Sequence, residues 1–147
     1  MTVLNNALLL VIILALATAF GFYRKWADGR VSPADSEQAL SESRLGFPIG
    51  SQATLLQFSS AFCQPCRATR FILNEVAESV PGVAHVEIDA ESHLDLVREF
   101  SVTRTPTTFI LDGTGQVIGK AVGLARKNDV LASLAPVLAR SNSKDSE

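Results

Sequence analysis

The chain has two cysteines, and they stand together in the run Cys63-Gln64-Pro65-Cys66. A pair at this spacing suits thiol–disulfide exchange when it opens a helix. The first sulfur then lies at the helix N-terminus, where unpaired N–H groups and the helix dipole stabilise a thiolate. The second lies one turn on, on the same face and more buried, where it can attack a mixed disulfide formed at the first. Pro65 at the helix start removes an N–H that has no partner there and fixes the turn. Cys63 is the candidate nucleophile and Cys66 the candidate resolving residue, with Arg67 and Arg70 adding positive charge nearby.

Other chemistries fit these residues less well. A zinc site needs two more ligands, and the two histidines, His85 and His93, do not fall at zinc-finger spacing. A purely structural disulfide across so short a loop adds little stability. No metal site and no organic cofactor is expected, so electrons must pass to or from a partner. The net charge is −2, from 13 basic and 15 acidic residues. No Lys/Arg cluster is dense enough for a nucleic-acid footprint. With 47% hydrophobic and 19% charged residues, disorder throughout is excluded. A length of 147 residues allows one domain with an appendage.

The pair must be held by a strand and a helix, and the pattern supplies both. Residues 54–59 read as a buried strand and residues 66–79 as a helix with Phe71, Ile72, Val76 and Val80 at helical spacing. Pro81-Gly82 stops that helix. Residues 83–89 are a second strand, and residues 92–100 a short helix turning Leu94, Val97 and Phe100 inward. Residues 107–111 and 116–122 are strands joined by the hairpin signal Asp112-Gly113-Thr114-Gly115. Residues 128–139 form the last helix, with Asn128 as its cap and Pro136 kinking it or ending it early. A strand–helix–strand unit is parallel with a right-handed crossover. The hairpin adds antiparallel strands, which predicts an α/β fold: a four-stranded mixed sheet flanked by helices.

Ahead of this domain the chain changes character. Residues 3–22 are almost continuously apolar and long enough, at about 30 Å, to cross a bilayer as one helix. Tyr23 and Trp26 follow at once with Arg24, Lys25 and Arg30, the residue types that a membrane–water interface selects. A cleaved signal peptide is the alternative, since Ala17-Thr18-Ala19 resembles a cleavage site. Against it, no Lys or Arg precedes the apolar run, and the run continues past that point. The expected plan is an anchor over 1–26, a linker over 27–51, a domain over 52–140 and a flexible tail over 141–147. Within the linker, Ser32 as cap and Pro33 at the first position predict a short polar helix reaching residue 44. Counting Lys and Arg at the flanks keeps the C-terminal side inside. This predicts a single-pass plasma-membrane protein with a cytoplasmic domain; an outward domain is the alternative.

The run from Gln57 to Arg67 (Gln-Phe-Ser-Ser-Ala-Phe-Cys-Gln-Pro-Cys-Arg) resembles the active-site strand, loop and helix start of thioredoxins. Thr105-Pro106-Thr107 is similar to that family's cis-proline loop, and Val122-Gly123 to its groove glycine. The resemblance implies a thioredoxin-like fold and disulfide exchange with a protein or small-molecule substrate, and Pro65 points to the reductase direction. It implies that Pro106 is cis and faces the cysteines. Phe62, Gln64, Pro65, Thr105, Pro106 and Gly123 would then shape the groove, with Thr105 bonding an extended substrate segment. Two positions depart from the family pattern. Phe62 stands where a Trp is usual, and Gln57 stands where a buried Asp would relay a proton to the second cysteine. An amide cannot titrate, which favours a docking module or redox sensor as the rival reading.

Overall fold

The structure, a computed structural model, describes residues 2–27, 29–33 and 46–144. Thr2–Ala27 forms helix α1. Within it Asn5–Trp26 is long and apolar enough to cross a membrane, with a mean hydropathy of 2.2 and none of it buried. Membrane anchors and signal sequences share that composition.

Val31–Pro33 forms strand β1. It is followed in the described residues by β2 (Ala53–Ser59), α2 (Gln64–Ser79), β3 (Val83–Asp89), α3 (Leu94–Glu99), β4 (Thr107–Asp112), β5 (Val117–Val122) and α4 (Lys127–Lys144). The sheet order is β1-β5-β4-β2-β3, with β2 and β3 parallel and the other pairs antiparallel. The expected four strands are therefore five. The extra strand is Val31–Pro33, where a helix start was expected, and it pairs Val31 with Ala121 and Pro33 with Gly119 at the sheet edge. Three residues carry no readable period, and an edge strand tolerates proline because one side of it has no partner. The rest of the expected helix, residues 34–44, lies outside the described residues.

Every residue of β2 is buried, as befits a strand with neighbours on both sides and helices on both faces. Leu56, Phe58, Val86, Ile88, Phe109 and Leu111 pack on one face with Leu96 and Phe100 of the α3 region. The rings of Phe58, Phe100 and Phe109 meet there at 4.8–5.8 Å. On the other face Ala53, Leu55 and Ile110 pack against Leu73 and Val76 of α2 and Val130 and Leu134 of α4.

The expected inward faces need correction at two residues. Phe71 is 72% exposed and Leu94 is 55% exposed. The buried stripe of α2 runs through Cys66, Thr69, Leu73 and Val76. Thr69 belongs to that stripe because its hydroxyl accepts the Ala125 N–H at 3.3 Å. Pro136 lies inside α4 without ending it, and the helix continues to Lys144, into the stretch expected as tail. Pro136 and Ala132 are both exposed, so the carbonyl that the proline leaves without a donor can face water.

Candidate active site

β2 carries the chain out of the core, and the turn at Ser60–Phe62 delivers it to the start of α2. Cys63 caps that helix: its Sγ accepts the N–H of Cys66 at 3.1 Å, and Pro65 occupies the first turn. Cys63 and Cys66 form a disulfide with an S–S distance of 2.07 Å and Cα atoms 5.2 Å apart. Cys66 is 1% exposed, whereas Cys63 is half-buried and Gln64 and Pro65 are exposed. One cysteine is partly exposed and the other is enclosed. Phe62, directly before the pair, is 98% exposed. Arg70 turns away to a two-pronged ion pair with Glu87, at 2.6 and 2.7 Å. That pairing, with Ser59, holds the Glu87 carboxyl below its ordinary range although burial pushes it up.

Two contacts bring distant loops to this helix start. The Thr105–Pro106 peptide bond is cis, and the Thr105 and Ser60 hydroxyls lie 3.1 Å apart. Gly123 donates its N–H to the Pro106 carbonyl at 2.8 Å. Gly123 has φ +96°, in the left-handed region that favours glycine. Pro65, Thr105, Pro106 and Gly123 thus line one cleft.

Beneath the pair lies a buried polar chain. Gln57 is fully buried, and its Nε2 donates to Ser59 Oγ at 2.7 Å and to the Cys66 carbonyl at 3.0 Å. With both amide hydrogens in use, Oε1 must accept, so His85 Nε2, 3.1 Å away, donates to it. His85 Nδ1 lies 2.5 Å from Asn74 Oδ1. Burial lowers the His85 pKa from its ordinary value, Glu87 opposes that shift, and Arg70 adds to it.

His85 and Asn74 are the site neighbours that sequence reasoning misses. The signal for His85 is the parallel register, which sets it opposite Leu55 and two residues before the Gln57 partner, Glu87. Among the described residues no group of three or more His, Cys, Asp or Glu is arranged to hold a metal ion.

Residues 45–136 match the thioredoxin family model. The H-type thioredoxin of Fagopyrum esculentum is 31% identical over 81 residues, covering 55% of this chain and 68% of that protein. The thioredoxin of Chlamydia trachomatis is 28% identical over 94 residues, covering 64% of this chain and 91% of that one. Oxidised mitochondrial thioredoxin 3 of Saccharomyces cerevisiae shares the fold, with a TM-score of 0.52 and 24% identity over 58% of this chain and 79% of that one. The family match runs from before β2 into α4 and takes in the cysteine pair, the cis-proline loop and Gly123, and so the chain belongs to the thioredoxin family of protein-disulfide oxidoreductases.

Proposed function

We propose that this chain is a membrane-anchored thiol–disulfide oxidoreductase working in the reductase direction. The observation that carries the reading is the Cys66 N–H directed at Cys63 Sγ at 3.1 Å, at the N-terminus of a 16-residue helix. In the dithiol form that N–H and the helix dipole favour a thiolate at Cys63. The Cys63 thiolate attacks one sulfur of the substrate disulfide, and the other leaves as a thiolate that takes up a proton. Cys66, losing its own proton, then attacks Cys63 Sγ; the mixed disulfide breaks and the second substrate thiol departs. Two electrons pass from the pair to the substrate, and an external dithiol or reductase must restore them. Phe62, Gln64, Pro65, Thr105, Pro106 and Gly123 form the groove in this reading, and Gln57 positions Cys66 without relaying a proton.

Anchoring is supported by the apolar, wholly unburied stretch Asn5–Trp26. Arg24, Lys25 and Arg30 behind it support a domain on the cytoplasmic side. There a reducing environment keeps the pair as thiols. The rival reading, a docking module or redox sensor, is favoured by Gln57, which has no proton to exchange, and by the exposed Phe62 ring. Insulin reduction driven by dithiothreitol decides between them. The wild type should accelerate it and Cys63→Ser should fall to the uncatalysed rate, whereas equal rates favour docking.

A further inference from the structure

The cleft beside the cysteine pair has a second wall, and α1 supplies it. Arg24 and Lys25, near the end of that helix, line the same cavity of about 630 Å³ as Thr105, Pro106 and Gly123. The helix end is fixed in place. Its last carbonyls have no partner within the helix, and the Arg126 guanidinium donates to those of Lys25 and Trp26, at 3.4 and 3.0 Å. The Arg30 guanidinium lies 3.7 Å over the Trp26 ring. Gly29 donates its N–H to the Val122 carbonyl at 2.8 Å, and the next residues join the sheet as β1. Gly29 has φ +78°, and a Cβ there would meet the Leu124 carbonyl oxygen at 1.8 Å. Gly29 is therefore packed closely against the end of β5 and the residues after it.

Among the described residues, the lining of this cleft includes the cations Arg24, Lys25 and Arg126 and no Asp or Glu. The carbonyls that hold Arg126 are neutral, so they leave its charge uncancelled. The remaining lining includes Pro65 and Leu124, which are poorly polarisable walls that concentrate the field.

From this juxtaposition we infer that the cleft selects disulfides carried in peptide segments rich in carboxylates. The inference rests on the exchange reading above and on α1 remaining attached. Guanidinium groups bind carboxylates through paired, charge-assisted hydrogen bonds. A peptide rather than a lipid headgroup is the fitting occupant, because Pro65 brings the cleft to the residue before Cys66. A headgroup held there would obstruct the approach of any disulfide. The redox step is unchanged: the segment's disulfide becomes two thiols as Cys63 and Cys66 become a disulfide, with dithiothreitol as the terminal reductant in the assay.

The test uses the full chain in phosphatidylcholine nanodiscs with two peptides of equal length, each closed by a disulfide. One has Asp and Glu beside its cysteines and the other Ser and Asn. At low salt the acidic peptide should be reduced with a kcat/KM about tenfold higher. That ratio should approach unity near 0.5 M salt, roughly where charges are screened within a few ångströms. It should also collapse in Arg24→Gln/Lys25→Gln, whose side chains are exposed in the wild type. Equal turnover of the two peptides by the wild type overturns this inference alone, as does a ratio that the double substitution leaves unmoved. Turnover of neither peptide overturns the exchange reading as well. A lipid occupant would show as no acid preference, with rates on both peptides that change in phosphatidylglycerol discs and stop changing in the double variant. That result also overturns the proposal.

Discussion

The side-chain amide of Gln57 donates to the backbone carbonyl of Cys66 at 3.0 Å, and both residues are buried. The bond ties the first turn of α2 to the central strand, so the enclosed cysteine is set from below by a group that does not titrate. Gln57→Glu keeps the shape and replaces the donor with a carboxyl facing a carbonyl oxygen. Burial and that oxygen both push such a carboxyl above its ordinary range. The pH–rate profile of disulfide exchange should gain an ionisation absent from the wild type. Loss of the two donated bonds should lower stability by about 1–3 kcal/mol, read from urea unfolding. An unchanged profile would show that the group at position 57 does not influence Cys66.

The unequal burial of the two cysteines predicts unequal trapping. Cys66→Ser keeps the half-buried Cys63 at the helix N-terminus and removes the thiol proposed to resolve its adducts. Mixed disulfides with substrates should accumulate in this variant on non-reducing gels, and Cys63→Ser should trap none. Equal trapping by the two variants would reverse or erase the assigned roles.

His85 gives stability a dependence on pH near neutrality. Its folded-state pKa lies below the ordinary 6.5, chiefly through burial. Well above 6.5 the ring is neutral whether the chain is folded or unfolded. As the pH falls through 6.5 the unfolded chain takes up a proton that the folded chain resists, so stability falls until the folded-state pKa is passed. Urea midpoints compared at about pH 7.5 and about pH 5.5 should decline for the wild type. The decline should be smaller in His85→Gln. Glu87, Asp89 and Asp112 act below this range, since their lowered pKa values give stability that is lost only as the pH falls to and below the ordinary carboxylate values.

Thr108 lies opposite Gln57 across the β2–β4 pairing, and among the described residues its buried hydroxyl has no hydrogen-bond partner. Thr108→Val replaces that hydroxyl with a methyl group of similar size. The variant should be more stable by about 1 kcal/mol in urea unfolding, because an unsatisfied buried hydroxyl is removed. A loss of stability would mean that the hydroxyl is bonded in solution.

The parts of the site that sequence reasoning reaches are those fixed by local chemistry. Cys63, Pro65 and Cys66 define a helix start within four positions, and the Asp112 side chain organises its own hairpin by accepting from Thr114 and Gln116. The parts it misses depend on residues far apart in the chain. His85 reaches Gln57 only through the parallel register of β2 and β3. β1 exists only because Val117–Val122 offers a free edge, and its three residues have no pattern of their own. Thr69 misleads for the opposite reason. It is polar yet occupies the buried stripe of α2, so the apolar residues alone point to a face that includes Phe71.

In the anchored reading proposed above, a charge count at the two ends of α1 predicts which side of the membrane carries the chemistry. Met1 and Thr2 ahead of the apolar stretch carry no side-chain cation, and Arg24, Lys25 and Arg30 follow it. Short flanks rich in Lys and Arg stay on the cytoplasmic side, and acidic residues such as Asp28 weigh little in that rule. The Trp26–Arg30 stack and the Arg126 bonds to the helix end set these cations beside the domain, so in that reading domain and cations share one side. An alkaline phosphatase fusion after residue 140 should therefore be inactive in intact cells, and a cytoplasmic reporter at the same place active. Moving three Lys ahead of Val3 while replacing Arg24, Lys25 and Arg30 with Gln should reverse both readouts. High phosphatase activity from the unaltered chain would place the domain outside, where its electrons would have to be carried across the membrane.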